Sequence, residues 1–196
     1  MIEPREFWEV FAKNLRQKFQ GRKSDFRDAY YSRGTEWTVH MTEFLSVLAG
    51  KFEPELHVDR EYWPRIDVAY FSDCTPKDWS KWSLEVAIEH ETKEDWHENE
   101  LCKLMLVNAG LKVIIAHDDN PHDWMKNGFF EEFVEILKSR KYNNEAHWLF
   151  IVGPKNRWNG GDYCAFSSNN GAAVIEITDG RRILNDKAVS PTDTGL

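Results

Sequence analysis

The sequence predicts an α/β (α+β) fold, with a mixed central sheet flanked by helices. Three observations carry that expectation. Residues 5–20 and 36–49 repeat apolar side chains at helical spacing. Residues 55–61, 65–71 and 82–91 alternate apolar and polar residues as half-buried strands do. A helix over 95–109 then separates the third strand from the apolar stretch Leu111 to Ala116, which permits a parallel crossover.

Each element has its own signals. Phe7, Trp8, Phe11, Leu15 and Phe19 make the stripe of the first helix, and Gly21 ends it. Residues 22–34 form a polar, basic connection. Thr35 precedes the second helix as its cap, Trp37, Met41, Phe44, Leu45 and Leu48 form its apolar face, and Gly50 stops it. Leu56 and Val58 share one face of the first strand, and Pro64 marks the entry to the second. Residues 72–81 hold Asp73, Pro76, Lys77 and Asp78, which is turn chemistry. In the third strand Trp82, Leu84, Val86 and Ile88 take one face, and Glu85, Ala87, Glu89 and Glu91 the other. Further on, 122–139 reads as a helix, and 147–153, 162–167 and 172–178 as strands. The 196 residues are expected to make one domain. It comprises a helix with a basic connection (1–34), a core (36–116), a helix with further strands (117–178) and a flexible tail (185–196).

Composition narrows the function classes. Hydrophobic residues at 41% and charged residues at 30% fit a soluble globular chain. No stretch is long and apolar enough to cross a bilayer, and the start lacks a secretory apolar run, so a cytoplasmic protein without a membrane partner is expected. Three widely spaced cysteines, Cys74, Cys102 and Cys164, suit a reducing compartment, and Cys102 reads as a small buried residue beside Leu101 and Leu104. The net charge of −8 opposes indiscriminate binding to phosphate backbones. That charge is unevenly spread. Lys13, Arg16, Lys18, Arg22, Lys23, Arg27 and Arg33 stand against only Asp25 and Asp28, whereas residues 85–100 carry Glu85, Glu89, Glu91, Glu94, Asp95, Glu98 and Glu100 against only Lys93.

The most informative residues are Asp67, Glu89 and Glu91. Asp67 interrupts an apolar strand, and Glu89 and Glu91 end another. Residues two apart on a strand point the same way, about 6.6 Å apart. Three such carboxylates make an oxygen cage for a hard cation such as Mg²⁺; without one they would repel and hold protons. The competing reading leaves Glu89 and Glu91 at an exposed strand end and pairs Asp67 with Arg65 or Arg60. Other groups read as ordinary structure. His90, His97, Glu91 and Glu98 lack the spacing of a transition-metal site, and a surface role suits the histidines. Asp118 and Asp119 after His117 read first as a turn, and residues 159–162 as a hairpin. Tyr30, Tyr31 and Trp37 either stack on bases or pack, with packing favoured.

A helix, a three-strand meander, a helix and a further strand, with Asp67 on the second strand and Glu89-His90-Glu91 on the third, resembles the PD-(D/E)XK nuclease superfamily and its restriction-endonuclease-like fold. The resemblance covers roughly residues 36–116. It implies metal-dependent phosphodiester hydrolysis of DNA, in restriction, defence or repair. Asp67, Glu89 and Glu91 would hold Mg²⁺ or Mn²⁺, with Glu91 standing where most members carry Lys, a Glu-x-Glu variant seen in some restriction enzymes. Glu43 (Glu36 as second choice) would reach the metal from the first core helix. Lys103, from the helix after the third strand, would replace the missing Lys. Read as surface residues, Glu43 and Lys103 are ordinary members of amphipathic helices. Glu85 is a competing register for the acidic pair. Arg16, Arg22, Lys23, Arg27 and Arg33 would grip the DNA backbone. Small size suggests a homodimer, or a protein partner that supplies affinity. The other reading is a catalytically inactive protein on this fold that meets another protein through an acidic surface, which the net charge suits.

Overall fold

The structure is a computed structural model. It describes residues 1–20, 35–52, 56–62, 65–74, 81–91, 96–118, 129–139, 146–154, 163–169 and 175–176. The expected basic connection with Arg22, Lys23, Arg27 and Arg33, the residues Tyr30, Tyr31 and Asp119, the 159–162 turn and the tail lie outside the described residues, as does the His97 side chain.

Two helices come first, α1 (Pro4–Gln20) and α2 (Thr35–Leu48), followed by a single 3₁₀ turn at Ala49–Lys51. Pro4 suits the first turn of α1, where its missing N–H costs nothing, and Glu6 and Lys18 complement the helix dipole. β1 (His57–Tyr62), β2 (Ile66–Ser72) and β3 (Ser83–His90) form the meander. Then come α3 (Trp96–Leu106), β4 (Leu111–Asp118), α4 (Phe129–Ser139), β5 (His147–Pro154), β6 (Cys164–Asn169) and the short β7 (Ile175–Glu176). The elements expected from sequence are found, with ends shifted by a few residues; the stretch 119–128 before α4 is outside the described residues.

All seven strands form one sheet in sequence order. β1–β2–β3 and β5–β6–β7 pair antiparallel, while β3–β4 and β4–β5 pair parallel. The sheet is therefore mixed, as expected. α3 and α4 each carry a parallel connection, and both pack on the same face. β4 is buried on both faces from Leu111 to Ala116, which is why it reads as a continuous apolar run rather than an alternating one.

Helices cover both faces of the sheet. Phe7, Phe11, Leu15, Trp37, Met41 and Leu45 of α1 and α2 bury against Val68, Tyr70, Val86, Ile88 and Val113. Leu101, Leu104, Phe130 and Phe133 of α3 and α4 bury against Ala87, Ile114, Trp148 and Phe150 on the other face. Tyr70 donates its hydroxyl to the Leu45 carbonyl and ties α2 to β2. Among the described residues no helix is long and apolar enough to cross a membrane.

The expected alternation fails at one place. Tyr70 pairs with Val86, but Phe71 pairs with Leu84, so Glu85 is an extra residue in β3. This bulge turns Leu84 away from Val86 and Ile88, toward the α3 face. Glu85 is held there by the Ser72 hydroxyl at 2.7 Å and the Met1 amino group at 3.6 Å. It lies four residues from Glu89 and is not part of the acidic pair. Cys102 also departs from expectation: it is exposed, because Leu101, Leu104 and Met105 already fill the inward side of α3.

Gly153 of β5 offers a sharp test of the packing. A Cβ there would lie 2.4 Å from the Tyr163 ring and 3.0 Å from His117 Nδ1. Gly153→Ala is expected to lower stability in urea unfolding by about 1–3 kcal/mol. Gly50→Ala, whose Cβ would meet nothing within 4 Å, should be neutral or stabilise by about 0.5 kcal/mol.

Candidate active site

β2 and β3 place two carboxylates side by side. Val68 and Tyr70 point into the core under α1 and α2, so period-2 alternation turns Asp67 to the opposite face. Val86 and Ile88 do the same on β3 and turn Glu89 with it. The Val68–Ile88 pairing, continued by one residue, sets Asp67 opposite Glu89. The His90 N–H donates to Asp67 Oδ2 at 2.9 Å.

α3 roofs this pair. Glu89 is only 1% exposed, so the strand end is not a solvated one. Lys103 brings its Nζ to 3.3 Å from Glu89 Oε2 and also pairs with Glu100, one helical turn earlier. Neither arginine expected near Asp67 supplies its hydrogen bond. Arg60 donates its Nε–H to Ser46 Oγ of α2 at 2.9 Å, and Arg65 is exposed, with a φ of 76°.

Burial governs the protonation of the pair. Loss of solvent, followed by the neighbouring Asp67 charge, pushes the Glu89 carboxyl up to about 10, against the pull of Lys103. Burial also raises Asp67, partly offset by the His90 N–H and by Lys103. Glu89 therefore keeps its proton at neutral pH in the cation-free protein. Burial alone would lower the Lys103 ammonium, but Glu100 and Glu89 outweigh it and hold it above its ordinary value.

The structure thus brings together three of the predicted site residues, Asp67, Glu89 and Lys103. Glu91 has left the strand; its N–H donates to the Ile115 carbonyl at 3.0 Å and its side chain is half-buried. Glu43 does not join them. α2 lies on the opposite face of the sheet, and Glu43 is 55% exposed, 3.9 Å from His40. Glu36 is likewise exposed on α2. Arg16 sits half-buried on α1, also on that far face.

Glu100 was missed in the sequence. It is buried against Lys103 and close enough to Glu89 to raise its carboxyl further. The signal for it was the Glu100-x-x-Lys103 spacing, which puts both groups on one helix face. Among the described residues no three His, Cys, Asp or Glu side chains are arranged ready to hold a metal ion. Instead Lys103 stands between Glu89 and Glu100. The donor set still fits a hard divalent cation, because its ligating atoms are all carboxylate oxygens and the buried Glu89 Oε1 has no hydrogen-bond partner.

Behind the pair, across the sheet, lies a buried group of rings. The Trp37 indole N–H donates to His117 Nε2 at 3.3 Å, and His90 Nε2 approaches the same atom at 3.3 Å. His117 Nε2 accepts from the indole, and the His90 ring nitrogen lies within hydrogen-bonding reach of the same atom. His90, expected at the surface, is buried because its parity follows Ile88 into the α2 face. Trp37 is fully buried and packs edge-on to both histidines. No family model matches the chain, and no curated protein is significantly similar to it in sequence.

The raised Glu89 carboxyl has a defined sign in stability. A folded-state value above the unfolded one contributes stability below about pH 4.5, lost progressively as pH rises toward 10. Glu89→Gln removes that titration while keeping the shape. In metal-free buffer at pH 8 it should be more stable than the parent by about 1 kcal/mol or more, with a flatter pH dependence between pH 5 and 9 in urea unfolding.

Proposed function

We propose that this chain is a metal-dependent phosphodiester hydrolase acting on DNA, on a restriction-endonuclease-like fold of the PD-(D/E)XK kind. The observation that carries the reading is the Asp67–Glu89 pair, half-buried at Asp67 and fully buried at Glu89, with Lys103 over it. A fold gains nothing in stability from two adjacent buried carboxylates, since each ion loses several kcal/mol of solvation and they repel one another. Such a pair has a physical reason where a cation and a phosphate come to rest on it.

Each residue has a part that follows from its place. Asp67, fixed by the His90 N–H, presents one oriented carboxylate. Glu89 would be the second ligand, for which it must give up its proton. Bound there, Mg²⁺ or Mn²⁺ would polarise the phosphoryl oxygen and lower the pKa of a bound water. Lys103 is the one group of this set able to donate to a phosphate oxygen as charge develops, in place of a strand lysine. Glu100 keeps Lys103 charged and aimed. Glu91, two residues beyond Glu89, stands at the rim, where it can orient a water. Arg16 and the basic residues 22–33 would meet the DNA backbone away from the reacting bond.

The test is cleavage of linear, circular and single-stranded DNA with Mg²⁺ or Mn²⁺. Asp67→Ala, Glu89→Gln and Lys103→Ala should each lose about 10²-fold or more, and EDTA should abolish cleavage. Glu100→Gln against Glu91→Gln shows which carboxylate serves the site, and the larger loss is expected from Glu100→Gln. No cleavage in either metal, with no metal-dependent rise in melting temperature, would overturn the proposal in favour of an acidic protein-binding scaffold.

Cation binding should also release protons. Because Glu89 must ionise first, Mn²⁺ affinity measured by calorimetry should tighten as pH rises from 6 to 8, with proton uptake by the buffer. A pH-independent affinity would show that Glu89 is not a ligand.

A further inference from the structure

The face that carries the acidic pair also carries a groove that the proposed chemistry does not use. It has a volume of about 420 Å³, within the range of small-ligand sites. Tyr62 of β1, Phe71 of β2 and Trp82 before β3 line it, and Leu106 closes one side. The rings form a continuous array. Tyr62 meets Phe71 edge-on at 5.1 Å, Phe71 meets Trp82 at 5.6 Å, and Trp82 meets His57 at 5.1 Å. Phe71 is buried as the floor, while Tyr62 and Trp82 stay half-buried and present ring surface. Leu106 leaves 58% of itself exposed beside them. The rim is polar, with Asp59 and Asn108.

The groove shares two elements with the site, and its Phe71 floor lies about 13 Å along β2 from Asp67. Asp67, Ala69 and Phe71 alternate onto one face of β2. Leu106 lies one helical turn beyond Lys103 on α3, about 4.5 Å along the axis. The Glu85 bulge is what turns Leu84 onto this face to line the groove.

We infer that this groove takes a nucleobase of the DNA strand, further along the strand from the phosphate over Asp67 and Glu89. The inference rests on the nucleic-acid reading above. Aromatic walls suit the flat face of a base, and stacking tolerates any base. Asp59 accepts and Asn108 donates or accepts, so together they match the N–H and C=O groups of a base edge. Asp59 repels phosphate, so the backbone stays outside, toward Lys103. A base stacked inside a duplex cannot reach such walls. The substrate is therefore a single strand, or a site where a base is unpaired.

The experiment uses the full chain in EDTA, so that binding is read without cleavage. The probes are a single-stranded oligonucleotide carrying 2-aminopurine, the matching duplex, and the free nucleoside monophosphate. The strand should bind more tightly than the duplex, with quenching of 2-aminopurine. Trp82→Ala and Leu106→Asp should each weaken it by about 5- to 100-fold. Leu106 is exposed, so Leu106→Asp should keep the parent melting temperature and separate lost binding from lost folding. Trp82→Phe should restore most of the affinity. Equal binding of duplex and strand, or unchanged binding in Leu106→Asp, would overturn the inference. So would a free nucleotide that binds as tightly as the strand, since the groove would then be a nucleotide site. Single-strand binding that needs Trp82 and Leu106, in a protein that cleaves nothing with Mg²⁺ or Mn²⁺, would uphold the groove and remove the hydrolase reading instead.

Discussion

The structure turns on the burial of Glu89 beside Asp67. Two carboxyls two strands deep in the sheet are expensive to ionise, because each sheds water and each feels the other. The fold supplies little to offset that: one backbone N–H on Asp67 and one ammonium on Glu89. The result is a pair whose carboxyls are both held above their ordinary range, with its charge partner coming from a helix rather than from the strands. α3 consequently does more than cover the sheet. Leu101, Leu104 and Met105 close the core beneath it, while Glu100 and Lys103 carry the electrostatics on an adjoining face.

What keeps the pair in place comes from the other side of the sheet. The His90 amide that fixes Asp67 belongs to a residue whose ring is clamped between Trp37 and His117. Those three rings join α2, β3 and β4 at the strand ends, and Tyr163 closes the stack edge-on to His117. Gly153 has no side chain because those two rings occupy the space. The carboxyls thus sit on a close-packed backing, with the acidic pair on one face of β3 and its support on the other. Alternation along Ile88, Glu89 and His90 is enough to assign the two roles.

Much of this architecture was legible in the sequence because periodicity is a backbone property. The stripe from Phe7 to Phe19 and the alternation in residues 65–71 survive any tertiary context. Asp67 and Glu89 were legible for the same reason: each breaks an apolar pattern where a charge is costly. Three things were not. The Glu85 bulge depends on pairing with β2, and no local signal marks an extra residue. The burial of His90 follows from what α2 lays over the strand end. Glu43 looked suitable because a helix precedes the meander, but which face that helix covers is set by packing. Glu100 fell between these cases. Its spacing to Lys103 was visible, whereas its approach to Glu89 required the crossover.

The lysines of this chain show how placement, rather than residue type, selects a functional group. Lys112 is more deeply buried than Lys103, and its Nζ lies 5.1 Å from the centroid of the Trp148 ring. Burial lowers its ammonium to about 8, so it is half-way to neutral under mild conditions. Its stabilising contact is a ring face, which favours the cation only modestly. Lys103 is less buried and lies between Glu100 and Glu89, which together hold its ammonium above the ordinary value. The acidic residues around Lys103 hold its positive charge on the sheet face that carries Asp67 and Glu89.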